Sequence, residues 1–181
     1  MNFHARMSEL ARTYDTSPGR ALELAAALEQ ELVAADPVDP RQLGWVRDYR
    51  VRCLYRLGRH AEGLMALMAP PRQPIASSPG NTAWLYGLGA EMALHVGGPR
   101  LVLVMLGKAL ELRVAAGDPL QVRAAVEAGF TLLRRAGDPL ALYAWYLTVE
   151  AYMAAAIPRA LAEALARCLA DASREQGRAA A

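Results

Sequence analysis

Strand signals are missing from this chain. No run alternates apolar and polar residues between turn dipeptides, and β-branched residues are sparse, which excludes a fold built on a sheet. Cysteine is scarce as well. Cys53 and Cys168 stand 115 residues apart in helix-like text, so they read as reduced, buried thiols rather than as a disulfide framework. Lysine is limited to Lys108 against 19 arginines, an imbalance spread over the whole chain that reads as genome composition rather than as a binding surface. A formal charge of +2 supplies no general attraction to nucleic acid or to an anionic membrane. The stretch Met1-Asn2-Phe3-His4-Ala5-Arg6 leads into no apolar run of the secretory kind, and a cytoplasmic location is the expectation.

Motifs of catalysis and cofactor binding are wanting. No G-x-x-x-x-G-K-[ST], G-x-G-x-x-G or G-x-S-x-G occurs. Gly87 and Gly89 form a G-x-G inside helical text, where close helix packing explains them better. His4, His60 and His95 lie scattered without metal-ligand spacing, so neither metal nor cofactor is expected. Carboxylates such as Glu29 and Glu31 sit two residues apart, which points them to different sides of a helix. No nucleophile stands with a base, and the expectation is a protein that is not an enzyme.

What the 181 residues do carry is a repeat. Pro40, Pro79, Pro119 and Pro158 recur at spacings of 39, 40 and 39, and Gly19, Gly58, Gly97 and Gly137 at 39, 39 and 40. The text between these marks is rich in Ala, Leu and Arg, which form helices readily. Proline is tolerated in the first turn of a helix, and glycine past its end takes the left-handed conformation that closes the last turn. Ala116-Gly117-Asp118-Pro119-Leu120 and Ala136-Gly137-Asp138-Pro139-Leu140 show the whole device twice: a stop, a capping aspartate and a proline start.

The spacing predicts nine helices, over about 2–14, 19–35, 41–57, 59–69, 80–96, 99–116, 119–135, 139–156 and 158–177. Ala69 to Ser78, with three prolines, reads as the one real loop. In 120–134, Val122, Val126, Gly129 and Leu133 line one side while Gln121, Glu127, Thr131 and Arg134 line another. The last segment has an apolar stripe of Leu161, Leu165, Cys168 and Leu169. Its opposite stripe, Glu163, Arg167, Asp171, Arg174 and Arg178, alternates in sign, as a helix that ends a stack requires. The predicted architecture is all-α: one domain over 1–181, with hairpin units at about 1–38, 39–78, 79–118 and 119–157 and a cap at 158–177.

Leu57-Gly58-Arg59-His60-Ala61-Glu62-Gly63-Leu64 resembles the central turn of a tetratricopeptide repeat, and Lys108-Ala109-Leu110-Glu111-Leu112 resembles the end of such a repeat's second helix. With Gly58 and Gly97 as turn glycines, Trp45 and Trp84 fall in equivalent places of their first helices. The unit departs from the usual 34 residues, and Val102 and Leu142 stand where Gly63 keeps the position small. The resemblance implies a right-handed superhelical stack that binds a peptide or protein in a concave groove lined by first helices. Groove candidates are then Trp45, Asp48, Arg52, Tyr55 and Arg56, followed by Trp84, Leu88, Glu91 and His95, then Glu127, Thr131 and Arg134. The clamp that some members use for a chaperone's C-terminal carboxylate is not matched, since Asp48 sits where a lysine is expected. Adaptor, secretion chaperone and toxin-neutralising binder all fit this implication.

Residues 41–59 hold six arginines against Asp48, a local charge of +5 that leaves −3 for the rest of the chain. Arg52, Arg56 and Arg59 are spaced to share a face, which suits either an acidic partner or a solvated surface. Nucleic acid is not expected, because the patch does not extend. Residues 140–157 carry only Glu150 among Tyr143, Trp145, Tyr146, Val149 and Tyr152, and 100–114 hold six apolar residues in a row, Leu101 to Leu106. A membrane span is not expected from either. Both are second helices, and Val104, Tyr143, Trp145 and Tyr152 are candidates for a homodimer or partner interface, with plain core burial as the alternative.

Overall fold

Prolines and glycines set the element boundaries. The computed structural model describes residues 3–68, 79–155 and 157–179. Its helices are α1 (Phe3–Thr16), α2 (Pro18–Ala34), α3 (Pro40–Arg56), α4 (His60–Met68), α5 (Pro79–His95), α6 (Pro99–Ala116), α7 (Pro119–Ala136), α8 (Pro139–Ala154) and α9 (Arg159–Ala179). Every predicted boundary lies within two residues of the observed one, and there is no strand among the described residues. The predicted loop from Ala69 to Ser78 lies outside them.

The turns work as their residues dictate. Gly58, Gly97, Gly117 and Gly137 all take φ between 68° and 76°, where a Cβ is strained. Asp118 Oδ1 accepts the backbone N–H groups of Leu120 at 2.9 Å and Gln121 at 3.3 Å, and Asp138 and Asp39 cap α8 and α3 in the same way. Gly19 breaks the expected series. It sits within the first turn of α2 behind Pro18, and the preceding Ser17 makes no side-chain cap.

The helices stack in order. Each packs on the next in sequence. The first helices also meet one another as a row, α1 with α3, α3 with α5, α5 with α7 and α7 with α9. In the opposite row α6 touches α8. Among the described residues, no two helices more than two places apart in the chain pack substantially, so this is an open stack of hairpins rather than a closed bundle. Two apolar cores run through it. Leu10, Ala21, Ala25, Leu28, Leu32, Leu43, Val46 and Cys53 form one, and a longer one extends from Val51 to Ala172.

Close packing is concentrated where small residues face large ones. A Cβ on Gly89 would lie 2.5 Å from Leu67 Cδ2, so that glycine does serve helix packing, whereas Gly87 has nothing within 4 Å. Gly129 receives the indole of Trp145, whose ring atoms lie 2.5–2.6 Å from where a Cβ would be. Trp145 is fully buried, and its Nε1–H donates to Val126 O at 3.4 Å. It is therefore a core residue and not an interface residue, because the glycine on α7 opens a slot for it. In α9, Leu161, Leu165, Cys168 and Leu169 are buried. Glu163 pairs with Arg159 and Arg167 outside, and Asp171 with Arg174. The side chain of Arg178 is outside those described.

Candidate functional site

Helical spacing brings one face of each first helix to the surface of the row, and hollows open between them. Between α1 and α3 a hollow of about 670 Å³ is lined by Phe3, Met7, Arg41, Trp45 and Tyr49, among others. Trp45 and Trp84, predicted as equivalent, are 36% and 40% exposed and each lines such a hollow. The Trp84 hollow, about 540 Å³, is bounded by Arg52, Asn81, Leu112, Arg113 and Gln121. It shares Ala83, Trp84 and Arg113 with a narrower cleft of about 280 Å³ between α5 and α7. That cleft is lined by Tyr55, Leu88 and Glu91 together with Gly87, Ala124 and Ala128, whose small size leaves a trough between the larger ones. Another hollow, of about 430 Å³, holds Glu127, Thr131 and Arg134 of α7 with Cys168 and Arg174 of α9.

Arg52 is the best-defined cation of this surface. Its guanidinium carbon lies 4.4 Å from the Trp84 ring centre and 5.4 Å from that of Tyr49, so two aromatic rings on neighbouring helices fix its place. Its Nε is buried without a hydrogen-bond partner. Arg113 Nη1 donates to Gln121 Oε1. The anions nearby are already engaged. Glu91 accepts the Tyr55 hydroxyl, which raises the Tyr55 pKa, and Asp118 caps α7.

Below this cleft the structure joins two histidines that the sequence leaves apart. His60, at the start of α4, stacks on His95, at the end of α5, with ring centres 4.3 Å apart and planes 10° from parallel. Tyr55 tilts over His60 at 5.8 Å. Burial, with the charge of His95 second, lowers the His60 pKa from its ordinary value, and His60 Nδ1 is buried without a hydrogen-bond partner. Among the described residues, no three His, Cys, Asp or Glu side chains are grouped to hold a metal.

The arginine-rich helix does not present one face. Arg47 and Arg50 turn away and clamp Glu29 of α2 at 2.7 and 2.8 Å. Arg59 lies beyond the end of α3 and grips Glu62, so it does not join Arg52 and Arg56 as its spacing suggests. Arg56 Nη1 donates to Tyr14 O at 2.6 Å and covers the Tyr14 ring, tying α3 to α1. Asp48 is fully buried and belongs to the core, not the groove. Leu88 is also buried, forming the cleft floor rather than its rim.

On the opposite row, Val104 and Tyr143 are 56% and 61% exposed, while Tyr152 is half-buried and its phenol titrates higher because of that burial. Sequence reasoning missed Tyr49, Arg113, Phe3 and Met7. Tyr49 stands four residues after Trp45 and three before Arg52, a spacing that alone marks it as their neighbour. Arg113 carried no such signal, since it reaches the cleft from the last turn of a second helix. No protein-family model matches the chain, and no curated protein or solved structure shows significant similarity to it.

Proposed function

We propose that this chain is a non-catalytic binding module that holds a segment of another protein along the row of first helices. The observation that carries this reading is the Trp84 cleft. An exposed indole, a ring-stacked arginine and a small-residue trough lie together on helices whose other faces are committed to the core. Half-exposed tryptophan and arginine are the side chains that dominate interface energetics, because they combine large apolar area with directional bonding. Repetition supports it further, since Trp45, at the equivalent position of its own helix, lines another hollow one unit earlier. An adaptor, chaperone or regulator would use such a surface. Proteins that co-purify from the native host with the intact chain, compared with a Trp45→Ala/Trp84→Ala variant of unchanged circular dichroism, test the reading. A partner lost with the two indoles is the expected result, and an identical set of bound proteins overturns it.

A second reading, self-association through the other row, rests on the exposure of Val104 and Tyr143 on α6 and α8, helices that touch. Light scattering over a range of concentrations decides it. A dimer that dissociates in Tyr143→Lys supports it, and a monomer at every concentration removes it.

A further inference from the structure

The charged groups around the Trp84 cleft balance in number but differ in how far they are already engaged, and that difference specifies what it accepts. The cations around its two hollows are Arg52 and Arg113, and the anions are Asp118 and Glu91. Both anions already accept hydrogen bonds, Asp118 from the α7 N-terminus and Glu91 from the Tyr55 hydroxyl. Arg52 Nε has no hydrogen-bond partner, and its guanidinium is held by stacking on Trp84 and Tyr49. Stacking uses the face of a guanidinium and leaves the in-plane N–H donors of its two terminal nitrogens to pair with a planar carboxylate. A guanidinium fixed in advance loses less side-chain freedom when it binds.

We infer that the cleft reads an aspartate or glutamate side chain inside the partner segment. This rests on the binding-module reading above. The carboxylate bonds the terminal nitrogens of Arg52 with Arg113 beside it, and an adjoining apolar side chain of the segment enters the trough of Gly87, Ala124 and Ala128. The two hollows share Ala83, Trp84 and Arg113, so a chain can run through both without ending there. An internal side chain, not a chain terminus, supplies the charge.

A library of random dodecapeptides displayed on phage, selected on the full-length protein, tests this. The expected consensus is an Asp or Glu next to a small or linear apolar residue. Selection on Arg52→Gln should lose the acid and keep the apolar preference, and Trp84→Ala should lose both. Replacing the acid by its amide in an enriched peptide, with the protein unchanged, should weaken binding roughly 10- to 100-fold, as expected for a charged hydrogen bond left unmade. That arm needs no protein variant and stands even if Arg52→Gln folds poorly. Amidation of the peptide C-terminus should change nothing. A consensus without an acid, an acidic consensus that survives Arg52→Gln, or binding abolished by C-terminal amidation overturns the inference. Failure to enrich any peptide overturns the binding-module reading itself.

Discussion

At the scale of single residues, the physical character of the neighbour decides what a glycine is worth. Gly129 faces the flat, rigid indole of buried Trp145, whereas Gly63 faces the thioether end of Met92, which can rotate aside. Alanine at either site gains helix propensity of about 1 kcal/mol. At 129 the overlap with a ring that has nowhere to go outweighs that gain. Gly129→Ala is expected to lower stability by about 1–3 kcal/mol, and Gly63→Ala to change it by less than about 1 kcal/mol, as read from chemical denaturation. The histidine pair makes a second prediction. Because burial holds the His60 pKa below its ordinary 6.5, the folded chain favours neutral His60. Its contribution is therefore whole above about pH 6.5 and fades as the pH falls. Glu91, bonded to Tyr55, and Arg135 also face this region. His60→Phe keeps a ring between Tyr55 and His95 but carries no proton. Its melting temperature should fall less than that of the unsubstituted chain between pH 7.5 and 5.5, and parallel curves would show that His60 is not the titrating group. The stack was illegible beforehand, because 35 residues of separation say nothing until the turn after α3 and the end of α5 are seen side by side.

At the scale of elements, local chemistry was enough to place nearly everything. Proline starts, left-handed glycines and capping aspartates act within four or five residues, so both ends of α6 (Pro99–Ala116) coincide with those its local sequence predicts. Gly19 shows the limit of counting. It keeps the period but not the role, since Pro18 before it already opens α2. The same contrast predicts unequal caps. Asp118 satisfies two N–H groups at the head of α7, and Ser17 satisfies none with its side chain at the head of α2. Asp118→Ala should cost about 1 kcal/mol, and Ser17→Ala far less, by thermal unfolding of the two variants. Helix faces were legible where the period was clean, as for Val122, Val126 and Leu133 of α7, all fully buried. They were not legible in α8, which is apolar on every side. There the choice between core and surface falls to the partner helix, and Gly129 chooses Trp145 for the core while Tyr143 stays outside. The candidate site was half legible for the same reason. Trp45, Arg52, Tyr55 and Trp84 line the hollows as first-helix spacing suggests, but Asp48 and Leu88, drawn from the same spacing, are buried, and Arg59 leaves the face it is spaced to share because it pairs with Glu62.

At the scale of the molecule, an open stack has no contact that ties its ends together, so stability must be regional. The two cores make the division concrete. The first hairpin, α1 and α2, packs in a cluster with Leu43, Val46 and Cys53 of α3, while Val51 on the same helix belongs to the long core that runs to α9. Among the described residues, α3 is thus the only element whose buried side chains enter both clusters. Ion pairs of Arg47 and Arg50 with Glu29 and a hydrogen bond from Arg56 to Tyr14 O reinforce its hold on the first hairpin, beside the apolar burial. Removing a side chain from the first core should therefore loosen α1 and α2 without loosening the rest. Leu28→Ala leaves a cavity in a small cluster and should cost about 2–5 kcal/mol there. In hydrogen exchange, amides of α1 and α2 are expected to exchange much faster in this variant, while those of α6, α7 and α8 keep their rates. The Trp84 cleft, built on α5, α6 and α7 with Arg52 and Tyr55 projecting from α3, would keep its walls even with the first hairpin open, so the variant should still bind acidic peptides. Uniform acceleration across all helices would instead mean that α3 couples the two cores into one cooperative unit, and the Trp45 and Trp84 hollows would then form and dissolve together.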